Sequence, residues 1–387
     1  MAIPVKYNIR SVLVRRVSTL MTVLSIALVV AVTIGVMALA TGLETALVST
    51  GDPLNILVRR RGADSELSSF VTRDAWQVLR YLPGVVTHSS GEPLASADVV
   101  VVINLPKRGS DQGANVTIRG VSPMGMALRP QVRLVEGRMF QAGLREVIVS
   151  RRISERFQHT SLGDRLRFGK GEWTVVGLFD AGQTAFDSEI WTDVNQLASD
   201  YNRQFYSSVL LRAVNEAAAR DIISRVENER RYNLTAEPET EYFREQTQAA
   251  APIKAMGMFI AFILGIGACF AAMNTMYAAV TYRTREIATL RVLGFRKGSI
   301  LLSFIVESVL LALVGGVVGC LLVLPINGVT TGTANWQTFS EIAFAFRVTP
   351  RLLLAGMIFA ILIGLFGGFF PARQAARQVP ALALRQE

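Results

Sequence analysis

Cysteine is almost absent: there are two in 387 residues, Cys269 and Cys320. Both fall inside long apolar runs, so no disulfide staples the polar part of the chain, and a small cystine-framework protein is excluded. Histidine is equally scarce. His88 and His159 have no partner at metal-ligand spacing, so each reads as a lone surface side chain. No G-x-S-x-G occurs, which removes one common hydrolase signature. No G-x-x-x-x-G-K-[S/T] occurs either. The nearest run, GDRLRFGK at 163–170, has the wrong glycine spacing and is followed by Gly171. It lacks the geometry that cradles phosphates. No catalytic, cofactor-binding or metal residue is therefore expected in this chain.

Apolar residues are abundant: the chain is 51% hydrophobic and 18% charged. That is a mixture of membrane spans and a soluble domain. Residues 17–43, 255–281 and 352–370 carry no charge, and 298–325 carry only Glu307. About 20 apolar residues cross a bilayer as a helix, so four spans are expected.

The net charge of +10 raises the question of nucleic acid. Its position answers it. An even number of spans puts both termini and the loop 282–297 on one face. That face carries Lys6, Arg10, Arg15, Arg16, Arg283, Arg285, Arg291, Arg296, Lys297, Arg373, Arg377 and Arg385 against only Glu286 and Glu387. The rest of the chain is charge-balanced. Positive flanks stay inside, so both termini are expected in the cytoplasm, and no basic domain remains to bind nucleic acid. The first span is too long for a cleaved signal and reads as a signal anchor.

The organisation expected is a cytoplasmic segment at 1–16, a first transmembrane helix and start of a stalk at 17–47, and an α+β core domain outside the cytoplasm at 48–238. A stalk and second span follow at 239–281, a cytoplasmic loop at 282–297, and a third span at 298–325. A short outer loop at 326–349, a fourth span at 350–370 and a cytoplasmic tail at 371–387 complete it. The fold class is thus a membrane protein of four transmembrane α-helices, with the α+β domain inserted between helices 1 and 2. At about 200 residues that domain can bury its own core. Val, Ile and Leu-rich runs bounded by turn residues predict strands at 54–59, 97–103, 115–119, 145–149, 165–169, 172–179 and 207–212. Helices are predicted at 72–81, capped by Thr72, and at 214–230, with Asn215 near its start. The acidic group Glu237, Glu239, Glu241 and Glu245 reads as a solvated helix face. If helical throughout, 239–282 would be roughly 66 Å long at 1.5 Å per residue, a candidate lever, with Pro252 as its one interruption.

The loop 282–297, YRTREIATLRVLGFRK, places Ile287, Leu290 and Leu293 at helical spacing, with Gly294 as a stop. A mere connector needs no apolar stripe, so the stripe predicts docking onto a soluble partner. Glu307 lies about nine residues into the third span, roughly 13–14 Å deep. A carboxylate there is costly and is expected to face protein or water, as an interhelical hydrogen-bond partner more than a proton relay. Gly315, Gly316 and Gly319 on the third span, and Gly364 and Gly368 on the fourth, offer faces for close helix packing, within one chain or between two.

These segments resemble a known family. TREIATLRVLGF, FIVESVLLALVGGVVG, the ending GLFGGFFPARQAARQVPALALRQE and the start NIRSVLVRRVSTLMTVLSIALVV are similar to the membrane regions of the FtsX-like/MacB-type ABC permeases. That group includes the DevC-like and lipoprotein-release permeases. The run VTIRGVSP…RLVEGRMF…GDRLRFG…WTVVGLF resembles their periplasmic core domain. The resemblance implies a permease half in the bacterial inner membrane that pairs with a second copy. A separate ABC ATPase would bind ATP and Mg, and a periplasmic adaptor (membrane fusion protein) and membrane lipids would be further partners. Residues 282–297 would be the coupling helix, with Arg283, Arg285, Glu286, Leu290, Arg291 and Gly294 at the ATPase contact. The work would be export or extraction of a lipid, lipoprotein, peptide or glycolipid by mechanotransmission. Unlike full-length MacB-type proteins, the sequence shows no ATPase domain of its own. The alternative is an FtsX-like regulator that activates a periplasmic cell-wall hydrolase, and a membrane-anchored binding protein is the third reading. Cargo and direction of movement are not fixed by the residues.

Overall fold

The computed structural model describes residues 16–110, 112–247, 251–335 and 339–378. The basic residues Lys6, Arg10, Arg15 and Arg385 of the charge argument lie outside them. The chain forms two units: a helical one (residues up to Thr41, 251–329 and from Phe346 on) and an inserted one (42–250 with 330–345).

Among the described residues, four helices are long and apolar enough to cross a membrane: α1 (Arg16–Val48) near the N-terminus and three after the inserted domain. In the inserted unit, β1 (Asn55–Arg60), β2 (Val71–Thr72) and α2 (Arg73–Leu79) come first. Then follow β3 (Ala95–Pro106), β4 (Gly113–Val121), β5 (Arg133–Gly137), β6 (Glu146–Ser150), α3 (Arg151–Arg156), β7 (Arg165–Phe168) and β8 (Gly171–Asp180). After these come β9 (Glu189–Asp193), α4 (Val194–Asp200), β10 (Phe205–Tyr206), β11 (Ser208–Arg212), α5 (Glu216–Asn228), β12 (Leu234–Pro238) and α6 (Glu239–Gln246). A ten-stranded sheet in the order β12-β1-β11-β3-β4-β9-β6-β8-β5, with β7 on β8, organises the unit, and β2 pairs separately with β10. Most pairs are antiparallel; β4–β9 and β6–β8 are parallel. A mixed sheet needs helices over its face, and the core forms where α2, α4 and α5 bury Trp76, Leu197 and Ile222 against Val58, Val99, Ile118 and Val209.

Every strand read from the sequence has a counterpart. Both expected helices are present, and their caps show why they start where they do. Thr72 accepts a hydrogen bond from the Ala75 amide, and Asn215 accepts one from Ala218 at 2.9 Å. Each satisfies an amide that the helix cannot. Asn215→Ala is expected to cost about 1 kcal/mol in chemical denaturation of the domain, and Asn215→Asp much less.

Strands β9 and β12 escaped the sequence reading for physical reasons. EIWTD carries two carboxylates and LTAEP ends in proline, yet β9 is fully buried because Glu189 is paired inside the fold. The acidic group at 237–245 also departs from expectation. Glu237 lies in β12 and pairs with Arg59 at 2.9 Å. Glu239 is buried, accepting hydrogen bonds from Asn55 Nδ2 (2.8 Å) and the Asp52 amide (3.1 Å). Only Glu241 and Glu245 hold about half-exposed side chains. The pattern of acids at short spacing could not show that a strand precedes the helix.

In the helical unit, α7 (Ala251–Tyr282), α8 (Thr284–Val292), α9 (Lys297–Val323) and α10 (Pro350–Arg377) follow in order. A continuous helix over 239–282 would have to cross 248–250, which lie outside the described residues. Pro252 is the second described residue of α7. The segment 326–349, expected as a plain loop, contains a hairpin, β13 (Thr330–Ala334) with β14 (Glu341–Ala345). The hairpin belongs to the inserted unit although the chain on either side of it belongs to the helical one. The chain therefore passes from one unit to the other at 41/42, 250/251, 329/330 and 345/346.

Candidate functional site

The spans pack where glycine lets them. A Cβ on Gly315 would meet Ile26 Cβ at 2.9 Å and the Val23 carbonyl at 3.0 Å; one on Gly319 would meet the Ala27 carbonyl at 2.7 Å. That face of α9 lies against α1. A Cβ on Gly316 would meet Ala360 Cβ of α10 at 2.9 Å. From the other side, Cβ atoms added to Gly364 and Gly368 of α10 would meet Ala312 Cβ (2.6 Å) and Ser308 Cβ (2.5 Å) of α9. Ser308 Oγ also donates to the Gly364 carbonyl at 2.7 Å. Each glycine singled out in the sequence therefore meets another helix of the same chain, so close packing here is intrachain.

The loop helix α8 sits against the end of this bundle. Ile287 and Ala288 are each 1% exposed, and Ile287 packs with Met276 and Val280 of α7, Ile300 and Phe304 of α9, and Ala372 and Ala375 of α10. This reverses part of the sequence argument: the apolar stripe begins by covering the chain's own spans. Leu290 and Arg291 are half-buried. Arg291 donates to the Phe295 carbonyl at 3.2 Å. The helix ends as a Schellman motif. Gly294 takes φ +92, its amide bonds the Arg291 carbonyl, and the Phe295 amide bonds that of Leu290. What remains open is a face of Arg285, Glu286, Thr289, Val292 and Leu293, with the last two 66% and 68% exposed.

Arg283 does not belong to that open face. It is 7% exposed and turned inward. Its Nε donates to Glu286 Oε2 and its Nη1 to Glu307 Oε2, both at 3.0 Å, while its guanidinium lies over the Phe304 ring at 5.7 Å. Glu307 is equally buried. The sequence showed no second ionisable group within any span. The partner comes from the loop, 24 residues away in sequence.

A second polar centre, in the inserted domain, went unseen in the sequence. Arg119 of β4 donates to both oxygens of Glu66 (2.8 Å each), to both of Glu189 (2.9 and 2.8 Å) and to Asp98 (3.2 Å). Asp98 also takes Arg129 at 2.5 Å, Ser208 reaches Glu66 at 2.5 Å, and Trp191 Nε1 reaches Glu189 at 2.7 Å. Burial alone would raise the pKa of Glu66, but the charge and hydrogen bonds of Arg119, helped by Ser208, bring it down to about 2. Glu239 goes the other way: burial raises it, against the opposing charge of Arg129. The carboxylates come from two strands and a turn, and the arginine from a third strand, so no local motif announces them.

The hairpin of 330–345 is fastened to the same domain. Glu341 is paired with Lys107 (2.7 Å) and with Arg156. The Ala343 amide donates to Ser188 Oγ at 2.7 Å, and Asn115 Nδ2 to the Phe339 carbonyl at 2.8 Å.

Four helices of spanning length, a mixed domain inserted between the first two, and a short helix seated on the bundle between the second and third have the make-up of a multi-pass membrane protein. The chain belongs to the FtsX/MacB-type family of ABC transporter permeases: residues 19–229 match the MacB-like periplasmic core domain, and 258–380 match the FtsX-like permease C-terminal region. Among curated relatives, it is 28% identical to the macrolide export ATP-binding/permease protein MacB of Chlorobaculum tepidum, over 98% of this chain and 60% of that protein. It is 26% identical to MacB of Pasteurella multocida, over 76% and 46%. With the uncharacterized ABC transporter permease YknZ of Bacillus subtilis it shares 27% identity over 73% of each. The chain thus spans about half the length of the MacB relatives. Among solved structures it is similar to the extracellular domain of YknZ (18% identity, TM-score 0.36, 47% of this chain and 99% of that one). It is also similar to the periplasmic region of MacB from Actinobacillus actinomycetemcomitans (10%, 0.39, 50% and 92%).

Proposed function

We propose that the chain is the permease subunit of an ABC transport system in a bacterial inner membrane, working as a pair of copies on ATPase subunits supplied by another chain. ATP and Mg would be held by that partner. The observation that carries this reading is the two-sided character of α8. One side is bound into the spans through Ile287, Ala288 and Arg283, while the other presents Val292, Leu293 and Arg285 to solvent. A helix held on one side and open on the other can accept a push from a soluble partner and pass it to the bundle. The relatives supply the partner's class, since the MacB proteins are named as ATP-binding and permease proteins in one.

In this reading both termini and α8 face the cytoplasm and the inserted domain faces the periplasm. ATP-driven movement at α8 reaches the inserted domain along the four chain crossings rather than by opening a channel. The cargo class that suits such mechanical export is a lipid, lipoprotein, peptide or glycolipid, handed to a periplasmic adaptor.

The test is purification in mild detergent. An ABC ATPase subunit is expected to accompany the parent chain. Val292→Asp with Leu293→Asp is expected to weaken that association by about 2 kcal/mol, or about thirtyfold in Kd, because two exposed apolar anchors are replaced by charge. A parent complex without any ATPase overturns the proposal.

A further inference from the structure

We infer that Arg283 and Glu307 are positioning residues whose ion pair locks the loop helix to the third span, so that displacement of one carries the other. The inference rests on the reading of α8 as the ATPase-facing helix and adds the joint through which it acts. Apolar contacts at Ile287 already seat α8, but such contacts are non-directional and allow a helix to slide or roll. A charged, hydrogen-bonded contact fixes distance and register together. Its location suits transmission. Arg283 sits between the last residue of α7 and the first of α8, and Glu307 lies ten residues into α9, about 15 Å along its axis.

One guanidinium thus joins the end of the second span, the start of the loop helix and the interior of the third span. Glu286, in the first turn of α8, holds the same guanidinium from the loop side. Movement of α8 would therefore draw on Glu307 directly. A carboxylate is costly in a span, and a packing role alone could be filled by an apolar side chain. The inference is that its charge serves the joint.

Two measurements test this on the full chain with the ATPase that accompanies it. The first is tryptic cleavage of the loop in inside-out vesicles. Glu307→Gln is expected to raise the cleavage rate about tenfold, because Arg283 loses its ionic hold on the third span, while Arg283→Lys, which keeps the charge, stays within about twofold. The second uses Arg283→Met with Glu307→Leu, which removes both charges of this ion pair together and so avoids stranding one against the other, as a single variant would. Its complex is expected to bind the ATPase as the parent does. A nucleotide-dependent change in amide exchange of the inserted domain is expected in the parent and should be lost in this variant. A double variant that keeps this nucleotide response overturns the joint and leaves the functional reading standing. Loss of ATPase from the parent complex itself overturns the functional reading, and the joint with it.

Discussion

Arg119→Ala is expected to destabilise the inserted domain by about 4 kcal/mol near neutral pH, because it strands buried carboxylates that this side chain now pairs. The arginine is 3% exposed and bonds Glu66, Glu189 and Asp98 together, so nothing from solvent can replace it. Folded domains of this size hold about 5–15 kcal/mol in total, so the loss is a large share. Denaturation followed by the buried Trp173 and Trp191 would measure it.

The pH dependence should also change sign. In the parent, the depressed Glu66 pKa contributes stability that is present above 4.5 and lost as pH falls toward 2. Without the arginine, burial dominates and favours the protonated carboxyl in the folded state. The variant should therefore gain stability as pH falls through the same window. A variant that loses stability in acid as the parent does would show that another cation holds Glu66.

The second large effect is expected in the spans. Gly364→Leu with Gly368→Leu should separate α9 from α10. The added Cβ atoms would meet Ala312 Cβ at 2.6 Å and Ser308 Cβ at 2.5 Å, and the Ser308 carbonyl stands 3.0 Å from the Gly364 position. Backbone and short side chains cannot swing aside, so the helices must move. Overpacking of this kind costs about 1–3 kcal/mol per site, and the Ser308–Gly364 hydrogen bond is lost in addition. Gly267→Leu is the control. Nothing lies within 4 Å of its Cβ position, so its thermal stability in detergent should stay within about 0.5 kcal/mol of the parent. Equal damage from both changes would mean that the open face of α7 is covered in the native assembly.

How much could be read without coordinates varied with the range of the interaction. The loop helix and its glycine stop were legible, because amphipathic spacing and a positive-φ terminus are local properties. Which side of it faced out was not. Periodicity shows that Ile287 lies on an apolar face, but not that Met276, Phe304 and Ala375 cover that face. Glu307 was recognised as needing a partner, and Arg283 was noticed for a different task. The structure joins them. The hairpin at 330–345 was hidden for a similar reason: TTGTA and EIAFA are weak strands alone, and pairing through Glu341 and Ser188 holds them.

The sequence by itself determined the four spans, their order, the place of the inserted domain and the family, because hydropathy and charge act along the chain and need no neighbour to be felt. The tertiary structure alone decided the Arg119 centre, the inward turn of Arg283 and the partners of each glycine face. Those depend on groups far apart in sequence coming within about 3 Å, where a single contact outweighs local propensity.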